Sequence, residues 1–584
     1  MGPPRRAYRA GLTWNGTVDS GANLTTIHFR LTASATVDSP NPGRVWSPVA
    51  VTPGDCDMRV ALVSPSAYPI DLGLRYISSV LKAAGHDVRM IFMTSRRATA
   101  RVDFRESLLH DLVGQLRDRD LIGMSLMTNT FHRACALTNR IREAGLRTPI
   151  IWGGTHPTVA PDESLEVADI VCVGEGERPM LELVERLERG RDPTDVAGLA
   201  FREGGPFGNQ QTLRNPPGPL EQDLDGYPFP DYELATHWVT ERDRLVPARP
   251  ENLRGVLRRL RILTTRGCPN RCTFCNNTAW RRIYQGRGPW VRKRSLENIF
   301  RELQWVRERF VSVEAVNIVD DLFFVRSDEE IAEFAAEYKR RINLPLELDA
   351  SPNTITEAKI RALAELPISL ISMGIESASR DTLENIYDRP TPIDRIARCI
   401  ELLHRYRIPA EYHYLVSNPY EPGRNVIETM RFIASYHKGP ARLRVFPLMF
   451  YPGTPLYERA RADGLIRQRG GSAYEETYSG RRQFAGHDYL GVWLRVVLGL
   501  RNVGLSNPAA HRLIDAVTHP TVRRYLDHPW FTPLAFGGYQ VGRKLAMGLV
   551  YQPFIRPLRR LGRRWLRRRR SSEDAASLPQ ASPV

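Results

Sequence analysis

The sequence has no apolar run long enough to cross a membrane, and cysteine is scarce, with 7 in 584 residues. A membrane-spanning helix needs about 20 consecutive apolar residues, so none is predicted. Residues 1–6 lead into no apolar segment of the kind that a secretory signal carries. Four of the seven cysteines are scattered along the chain, which fits a reducing cytosol better than a disulfide-rich secreted domain. We therefore expect a cytoplasmic protein.

Length and composition otherwise indicate a globular protein of several domains. The chain is 42% hydrophobic and 25% charged, which is typical of globular proteins. Its formal net charge of +17 is partly concentrated between Arg556 and Arg570, where arginines alternate with leucine and tryptophan. Such a segment can lie on an anionic membrane surface or be a solvated tail. No recognised module supports nucleic-acid binding, so no nucleic-acid partner is expected.

Three cysteines stand close together in one short segment. Cys268, Cys272 and Cys275 have the spacing C-x3-C-x2-C directly after an apolar, strand-like run. Three thiolates at this spacing can hold three corners of an iron–sulfur cube and leave the fourth iron open for chemistry. Structural zinc usually has four ligands, but the next cysteine is Cys399 and the next histidine is His404. Three thiols also cannot all pair as disulfides, so the motif favours an open-site cluster.

Two regions of the chain alternate strand-like and helical patterns, which predicts an α/β protein. From 58 to 190 the alternation predicts a parallel sheet with helices on both faces. From 258 to 470, six further strand–helix units predict a barrel or partial barrel with its site at the strand carboxyl ends. Residues 191–257 form a proline-rich, extended connector, residues 1–57 are predicted to be unstructured, and residues 471–584 are predicted to be helical.

Small residues follow the strands of the first region. Ligands of such sheets bind outside the strand carboxyl ends, and glycine permits close backbone approach to a bulky ligand. The candidate ligand contacts in these loops are Ser64, Pro65, Ser125, Gly153, Gly154, Thr155, His156, Gly174, Glu175, Gly176 and Glu177.

Together these features resemble the cobalamin-dependent radical S-adenosylmethionine (SAM) enzymes over residues 58 to 465. The cysteine motif is the most specific part of the resemblance. The supporting segments are Leu72–Tyr76, Gly153–His156, Gly174–Glu177, Asp320–Phe323, Gly374–Ser377 and Tyr451–Tyr457. The resemblance implies a flavodoxin-like cobalamin-binding domain, then a partial TIM-type (βα)6 radical SAM barrel, then a helical C-terminal region. The resemblance also implies that Gly73 contacts cobalamin.

The resemblance also implies roles for the cysteines and their neighbours. The three cysteines would hold a 4Fe–4S cluster whose open iron is chelated by SAM. A donor such as flavodoxin or ferredoxin would supply the electron that cleaves SAM to a 5′-deoxyadenosyl radical. The implied SAM contacts are Phe274, Asp320, Gly374, Glu376 and Ser377. Phe274 could instead be a packing residue, and Asp320, Glu376 and Ser377 could instead cap helices.

A histidine beneath cobalt is not indicated by the sequence. The Asp-x-His-x-x-Gly motif of mutase-type cobalamin proteins is absent, and His156 stands in Gly-Gly-Thr-His-Pro. A lone histidine in that context is more simply a packing or hydrogen-bonding residue. The resemblance still implies cobalamin, because relatives bind it with no protein ligand to cobalt. An open lower face would suit methyl transfer, by analogy.

Of four functions that the motifs bring to mind, two are favoured and two are disfavoured. The more favoured one is methylation of an unactivated carbon, and the second is cyclisation or rearrangement with the same cofactors, as in an anaerobic cyclase of chlorophyll synthesis. A methylthiotransferase would need three more clustered cysteines, whereas Cys56, Cys135 and Cys172 are not expected to converge. A cobalamin sensor would need no SAM-cleaving barrel, and an electron carrier would have a fully ligated cluster. The basic tail suggests a lipid or other hydrophobic substrate, with a secondary metabolite or peptide as the rival.

Overall fold

The computed structural model describes residues 58–95, 102, 104–310, 312–437, 442–466, 474, 489–502 and 505–527. The predicted N-terminal extension, Cys56 and the arginine-rich segment 556–570 therefore lie outside the described residues. Within the described part, no helix is both long and apolar enough to cross a membrane.

A nine-stranded sheet forms the first domain, with the order β7-β6-β5-β4-β3-β1-β2-β8-β9. The five central strands have the flavodoxin-like order 2-1-3-4-5 and are all parallel. The predicted α/β class and flavodoxin-like domain are therefore confirmed. The strands are β1 (Arg59–Ser64), β2 (Asp87–Phe92), β3 (Leu121–Ser125), β4 (Ile150–Gly153), β5 (Ile170–Cys172), β6 (Leu199–Phe201), β7 (Leu213–Arg214), β8 (His237–Glu241) and β9 (Arg244–Pro247).

Strand β1 explains why this sheet is covered on both faces. Its residues 60–63 are at most 1% exposed, and successive side chains of a strand point to opposite faces. Val60 and Leu62 accordingly pack into one core with helices α1 (Leu72–Ala83) and α6 (Glu177–Glu188). Ala61 and Val63 pack into a second core with α2 (Glu106–Leu116) and α3 (Phe131–Glu143).

The connector is more structured than the sequence predicts. Instead of running as an extended link, it adds β6 and β7 at one edge of the first sheet and β8 and β9 at the other. It then ends in helix α7 (Pro250–Leu257). The prolines that suggested an extended chain all lie between β7 and β8, and they are Pro216, Pro217, Pro219, Pro228 and Pro230.

A six-stranded, wholly parallel sheet forms the second domain, in the sequential order β10-β13-β14-β15-β16-β17. Strands β10 and β17 are both edges, so the barrel is open. A separate two-stranded ribbon joins β11 to β12. The strands are β10 (Arg259–Ile262), β11 (Thr265–Arg266), β12 (Arg292–Lys293), β13 (Ala315–Ile318), β14 (Leu346–Ala350), β15 (Ile368–Glu376), β16 (Ala410–Val416) and β17 (Arg442–Pro447).

Helices cover the outer, apolar face of this second sheet and continue past it. Side-chain caps begin many of them, as when Ser327 and Glu330 form a reciprocal capping box at α10. The remaining helices are α4 (Thr155–Val159), α5 (Pro161–Leu165), α8 (Asn276–Ile283), α9 (Leu296–Arg309), α10 (Asp328–Arg341), α11 (Glu357–Leu363), α12 (Ile393–Arg405), α13 (Gly423–Tyr436), α14 (Pro455–Ala462), α15 (Tyr489–Asn502), α16 (Asn507–Thr518) and α17 (Pro520–Leu526). The last three confirm the helical C-terminal region as far as it is described.

Candidate cofactor and active site

The three cysteines lie in a loop that extends from the β11–β12 ribbon. Helix α8 starts directly after Cys275, and none of the three thiols is in a disulfide. Burial raises the pKa of each thiol, and that of Cys275 reaches about 12. A buried thiolate is costly unless a cation compensates it. In the described residues no three His, Cys, Asp or Glu side chains converge on a single-ion site, whereas a cube spreads its thiolates over separate irons.

Asp320 and Asp321, at the end of β13, brace this loop. Asp320 is 5% exposed, and its carboxylate accepts hydrogen bonds from the Thr264 N–H and hydroxyl, both at 2.5 Å, and from the Thr265 N–H at 3.0 Å. Burial raises the pKa of Asp320 to about 6, against these hydrogen bonds. Both oxygens of the predicted SAM contact Asp320 are thus occupied by the strand that leads into the cysteine loop.

The neighbouring carboxylate holds the first turn of the loop. Asp321 accepts a hydrogen bond from the Gly267 N–H at 2.9 Å and another from the Asn277 side chain at 2.7 Å. Gly267 has φ +85°, and a Cβ there would lie 2.3 Å from the Trp290 carbonyl oxygen. The glycine directly before the first cysteine is therefore required by both backbone conformation and space.

Arg389 is a residue of the cysteine site that sequence reasoning missed. It is buried, and its guanidinium lies 3.6 Å from the Cys272 sulfur while donating to the Gly374 carbonyl at 2.7 Å and to Ser351 at 3.1 Å. Its positive charge opposes the effect of burial on the pKa of Cys272. No local pattern marks Arg389, because it lies 117 residues from Cys272 in the chain.

Of the predicted SAM contacts at the end of β15, Gly374 and Glu376 lie near Arg389, whereas Ser377 contacts α13. Glu376 has φ +70°, a strained conformation for a non-glycine residue. Burial raises its pKa, and Arg389 and His413 oppose that rise. A Cβ on Gly374 would lie 2.4 Å from the Glu376 carboxylate, so the glycine makes room for it. Ser377 instead bonds to the Thr429 hydroxyl at 3.1 Å, which ties it to α13.

Phe274 lies beside the thiols. Its ring meets Tyr387 edge-on, with 5.0 Å between ring centroids, and the Thr273 N–H donates to the Tyr387 carbonyl. The structure thus places Phe274 and the β15 end around the part of the cysteine loop that Arg389 contacts.

A cavity of about 330 Å³ lies between the strand ends of the first sheet and the cysteine loop. Nine predicted cobalamin contacts line it: Gly73, Ser125, Gly153, Gly154, Thr155, Gly174, Glu175, Gly176 and Glu177. The opposite wall, which the sequence analysis did not assign, comes from the second domain and includes Arg266, Gly267, Asn276, Asn277, Trp280, Trp290, Arg292 and Asp321. Residues immediately before and after the cysteine motif therefore close the cleft of the other domain.

Three residues predicted as cobalamin contacts are absent from the cavity lining. Ser64 is fully buried and its hydroxyl lies 3.3 Å from an Asp71 carboxylate oxygen, while the Pro65 carbonyl accepts a hydrogen bond from Arg133. The Ser64 hydroxyl and the Pro65 carbonyl therefore stabilise the turn that follows β1. His156, the third, lies behind the cavity wall.

The surroundings of His156 are those of a packing residue. It is fully buried, with its ring 4.7 Å from that of Phe131 and 5.5 Å from that of Tyr474. Its Nδ1 lies 3.3 Å from the Thr128 hydroxyl. Burial lowers its pKa to about 4, so the ring is neutral near pH 7.

The two scattered cysteines of the first domain that the structure describes, Cys135 and Cys172, lie on opposite faces of the sheet. Cys172 is buried in the core on one face of the sheet, and Cys135, on α3, packs against the core on the other face. Burial raises the pKa of both thiols to about 12. The sheet separates them, as expected for core thiols.

Comparison with known proteins agrees with this arrangement. The B12 binding domain model matches residues 58–184, and the Radical SAM superfamily model matches residues 262–433. An uncharacterised methyltransferase of Pyrococcus horikoshii is 26% identical over 398 residues, which cover 68% of this chain and 79% of that protein. The anaerobic magnesium-protoporphyrin IX monomethyl ester cyclase of a Synechocystis species is 28% identical over 255 residues, which cover 43% of this chain and 45% of the cyclase.

A solved structure shares the fold over most of the chain. The radical SAM methyltransferase TsrM of Kitasatospora setae, solved with tryptophan and a SAM analogue, aligns with a TM-score of 0.57 and 18% identity, covering 85% of this chain and 99% of TsrM. The matched domains thus define a protein that pairs a B12-binding domain with a radical SAM domain. The chain belongs to the cobalamin-dependent radical SAM enzyme family.

Proposed function

We propose that this protein is a C-methyltransferase that uses a 4Fe–4S cluster, SAM and cobalamin to methylate an unactivated carbon. The observation that carries the proposal is the shared wall, in which Arg266, Gly267, Asn276 and Asn277, on the two sides of the cysteine motif, line the cavity of the B12-binding domain. A methyl donor and a radical generator must face a common space to act on one carbon. When bound, these cofactors supply reductive SAM cleavage and methyl-group transfer.

The residues around the cysteines fit an iron–sulfur cluster. Three thiols whose pKa values are raised by burial are poorly suited to exist as free thiolates, and binding to iron would compensate the charge of the thiolate. Arg389 beside the Cys272 sulfur adds a positive charge next to a ligand that would be anionic. Phe274, Gly374 and Glu376 are the proposed SAM contacts, because they surround the same part of the loop.

The residues that line the cavity suit the edge of a large, amide-bearing macrocycle. Five glycines among its lining residues 73, 153, 154, 174 and 176 remove side chains from the edge of the sheet. Asn276 lines the opposite wall, and its side-chain oxygen is buried with no hydrogen-bond partner in the described part of the chain. A buried acceptor of this kind is costly unless a ligand donates to it, and the amide groups around a corrin ring are such donors. Among the residues that the structure describes, no histidine lines the cavity.

The proposal is tested by SAM turnover in anaerobically reconstituted protein. We expect reductant-dependent formation of 5′-deoxyadenosine, which Cys272→Ser reduces to background. The matched control is Cys399→Ser, since Cys399 is also a buried cysteine of the second domain. Wild-type protein that carries a full complement of iron but leaves SAM intact under reductant would exclude the proposal.

Cyclisation or rearrangement is the second candidate, because of the similarity to the Synechocystis cyclase. The products formed from SAM distinguish methylation from cyclisation or rearrangement. Methylation consumes a second SAM to restore methylcobalamin, so S-adenosylhomocysteine should form and the product should gain one methylene unit of mass. A cyclase would form 5′-deoxyadenosine without S-adenosylhomocysteine.

We further infer that the arginine-rich segment 556–570 brings the enzyme to anionic membranes, where a lipid or other hydrophobic substrate would be available. Its composition supports this inference. Full-length protein should co-sediment with vesicles rich in phosphatidylglycerol, and a chain ending at Gln552 should not. Equal sedimentation of the two chains would end this inference.

A further inference from the structure

Buried ion pairs join the loop Gly174–Glu177, which follows β5, to the base of the cysteine loop. Arg292 binds Glu175 with two hydrogen bonds, of 2.6 and 3.0 Å. Arg266 lies 3.2 Å from the same carboxylate and 2.5 Å from that of Glu177. Arg266 and Arg292 face each other across the β11–β12 ribbon. We call these four side chains the interdomain clamp.

The clamp lies at the wall of the cavity and is largely shielded from solvent. Its side chains are between 2% and 15% exposed. The Arg266 guanidinium also lies 5.4 Å from the ring centroids of both Tyr76 and Tyr227. Bidentate arginine–carboxylate pairs fix geometry as well as charge, and removing one partner of a buried pair leaves an uncompensated charge. The clamp therefore fixes the position of one loop relative to the other.

A backbone contact strengthens this link. The Tyr284 hydroxyl, at the end of α8, accepts a hydrogen bond from the Glu175 N–H at 2.7 Å. A Cβ on Gly174 would lie 2.0 Å from that hydroxyl oxygen. Since α8 starts directly after Cys275, the loop Gly174–Glu177 rests on both ends of the segment that carries the cysteines.

We propose that the interdomain clamp couples the two cofactor sites, so that iron–sulfur assembly on the cysteine loop organises the loop Gly174–Glu177 and tightens cobalamin binding. Its four members are positioning residues in this role. The inference rests on the proposed function, because it assumes that both cofactors bind. Energetic coupling is reciprocal, so bound cobalamin would stabilise the cluster loop by the same factor.

The test compares hydroxocobalamin dissociation constants of the full-length protein, measured anaerobically by absorbance titration, in iron-free and cluster-reconstituted forms. We expect the reconstituted wild type to bind about fivefold tighter or more, the lower end of typical coupling between sites. Glu175→Gln should bring the two constants within about twofold of each other. Arg292→Lys, which keeps the charge but loses the bidentate geometry, should do the same from the other domain.

Asp388→Asn is the matched control. It breaks the exposed pair that Asp388 forms with Arg271 on the same cysteine loop, without touching the first domain. It should keep the wild-type ratio. Equal constants for the two wild-type forms, or a wild-type ratio in Glu175→Gln and Arg292→Lys, would overturn the clamp while leaving the proposed function intact. A protein that binds neither iron nor hydroxocobalamin would instead refute both.

Discussion

Replacing Asp320 by asparagine should change how the stability of this protein depends on pH. The carboxylate is buried against the Thr264 and Thr265 backbone, and its pKa is raised from 3.8 to about 6. A rise of that size corresponds to about 3 kcal/mol between the two protonation states. Asparagine has the same shape and can still accept the two backbone hydrogen bonds, so it keeps the contacts and removes the titration.

The sign follows from proton linkage. Between pH 4 and pH 6 the folded protein keeps a proton on Asp320 that the unfolded chain has lost. Folding stability from this group is therefore present at low pH and is lost as pH rises through about 6. The stability of Asp320→Asn relative to wild type should increase by up to about 3 kcal/mol from pH 4 to pH 7.

Urea unfolding of iron-free wild type and variant at a series of pH values measures this difference. The design also separates two roles for Asp320. A residue that braces the cysteine loop changes the pH dependence of stability in the absence of SAM, whereas a residue that acts only by contacting SAM does not. Stability curves that run parallel from pH 4 to pH 7 would refute the brace.

Three further substitutions test packing, charge and ligation. Gly174→Ala should destabilise the protein by about 1–3 kcal/mol more than Gly85→Ala in thermal unfolding. Both glycines have φ near +97°, but a Cβ at Gly174 would meet Tyr284, whereas no atom of the described residues lies within 4 Å of a Cβ at Gly85. Equal losses would contradict the contact with Tyr284. Glu302→Ala removes the carboxylate that pairs with the buried Arg294 and should lower the free energy of unfolding in urea by about 3–5 kcal/mol. Glu365→Ala, which breaks an exposed pair, should lower it by only about 0–1 kcal/mol. His156→Gln should leave the electron paramagnetic resonance spectrum of bound cob(II)alamin unchanged, and loss of a nitrogen splitting would assign His156 as a ligand.

Much of the fold could be predicted from the sequence because it depends on local patterns. The amphipathic segments 72–84, 105–117 and 130–144 of the sequence coincide with α1, α2 and α3 to within about a residue at each end. The connector was the main departure, since its short strands pair only with the edges of a sheet built by other segments. Edge pairing of this kind depends on tertiary contacts that leave little trace in local periodicity.

The candidate site also has features that local sequence patterns predicted. The spacing of Cys268, Cys272 and Cys275 predicted an iron–sulfur cluster, because three thiols within eight residues can share one cluster and cannot complete a common zinc site. The glycines at the strand ends likewise indicated where a large ligand would approach. These signals lie within single loops and do not depend on which distant residue packs nearby.

The sequence by itself thus determined the two α/β domains and the cysteine loop. Only the tertiary structure decided what the polar side chains around them contact. It placed Arg389 against Cys272, turned Asp320 towards Thr264 and Thr265, and paired Glu175 with Arg292 across the domain interface. The reason is physical: thiol spacing and periodicity act over a few residues, whereas a buried charge is stabilised by whichever partner the fold brings to it.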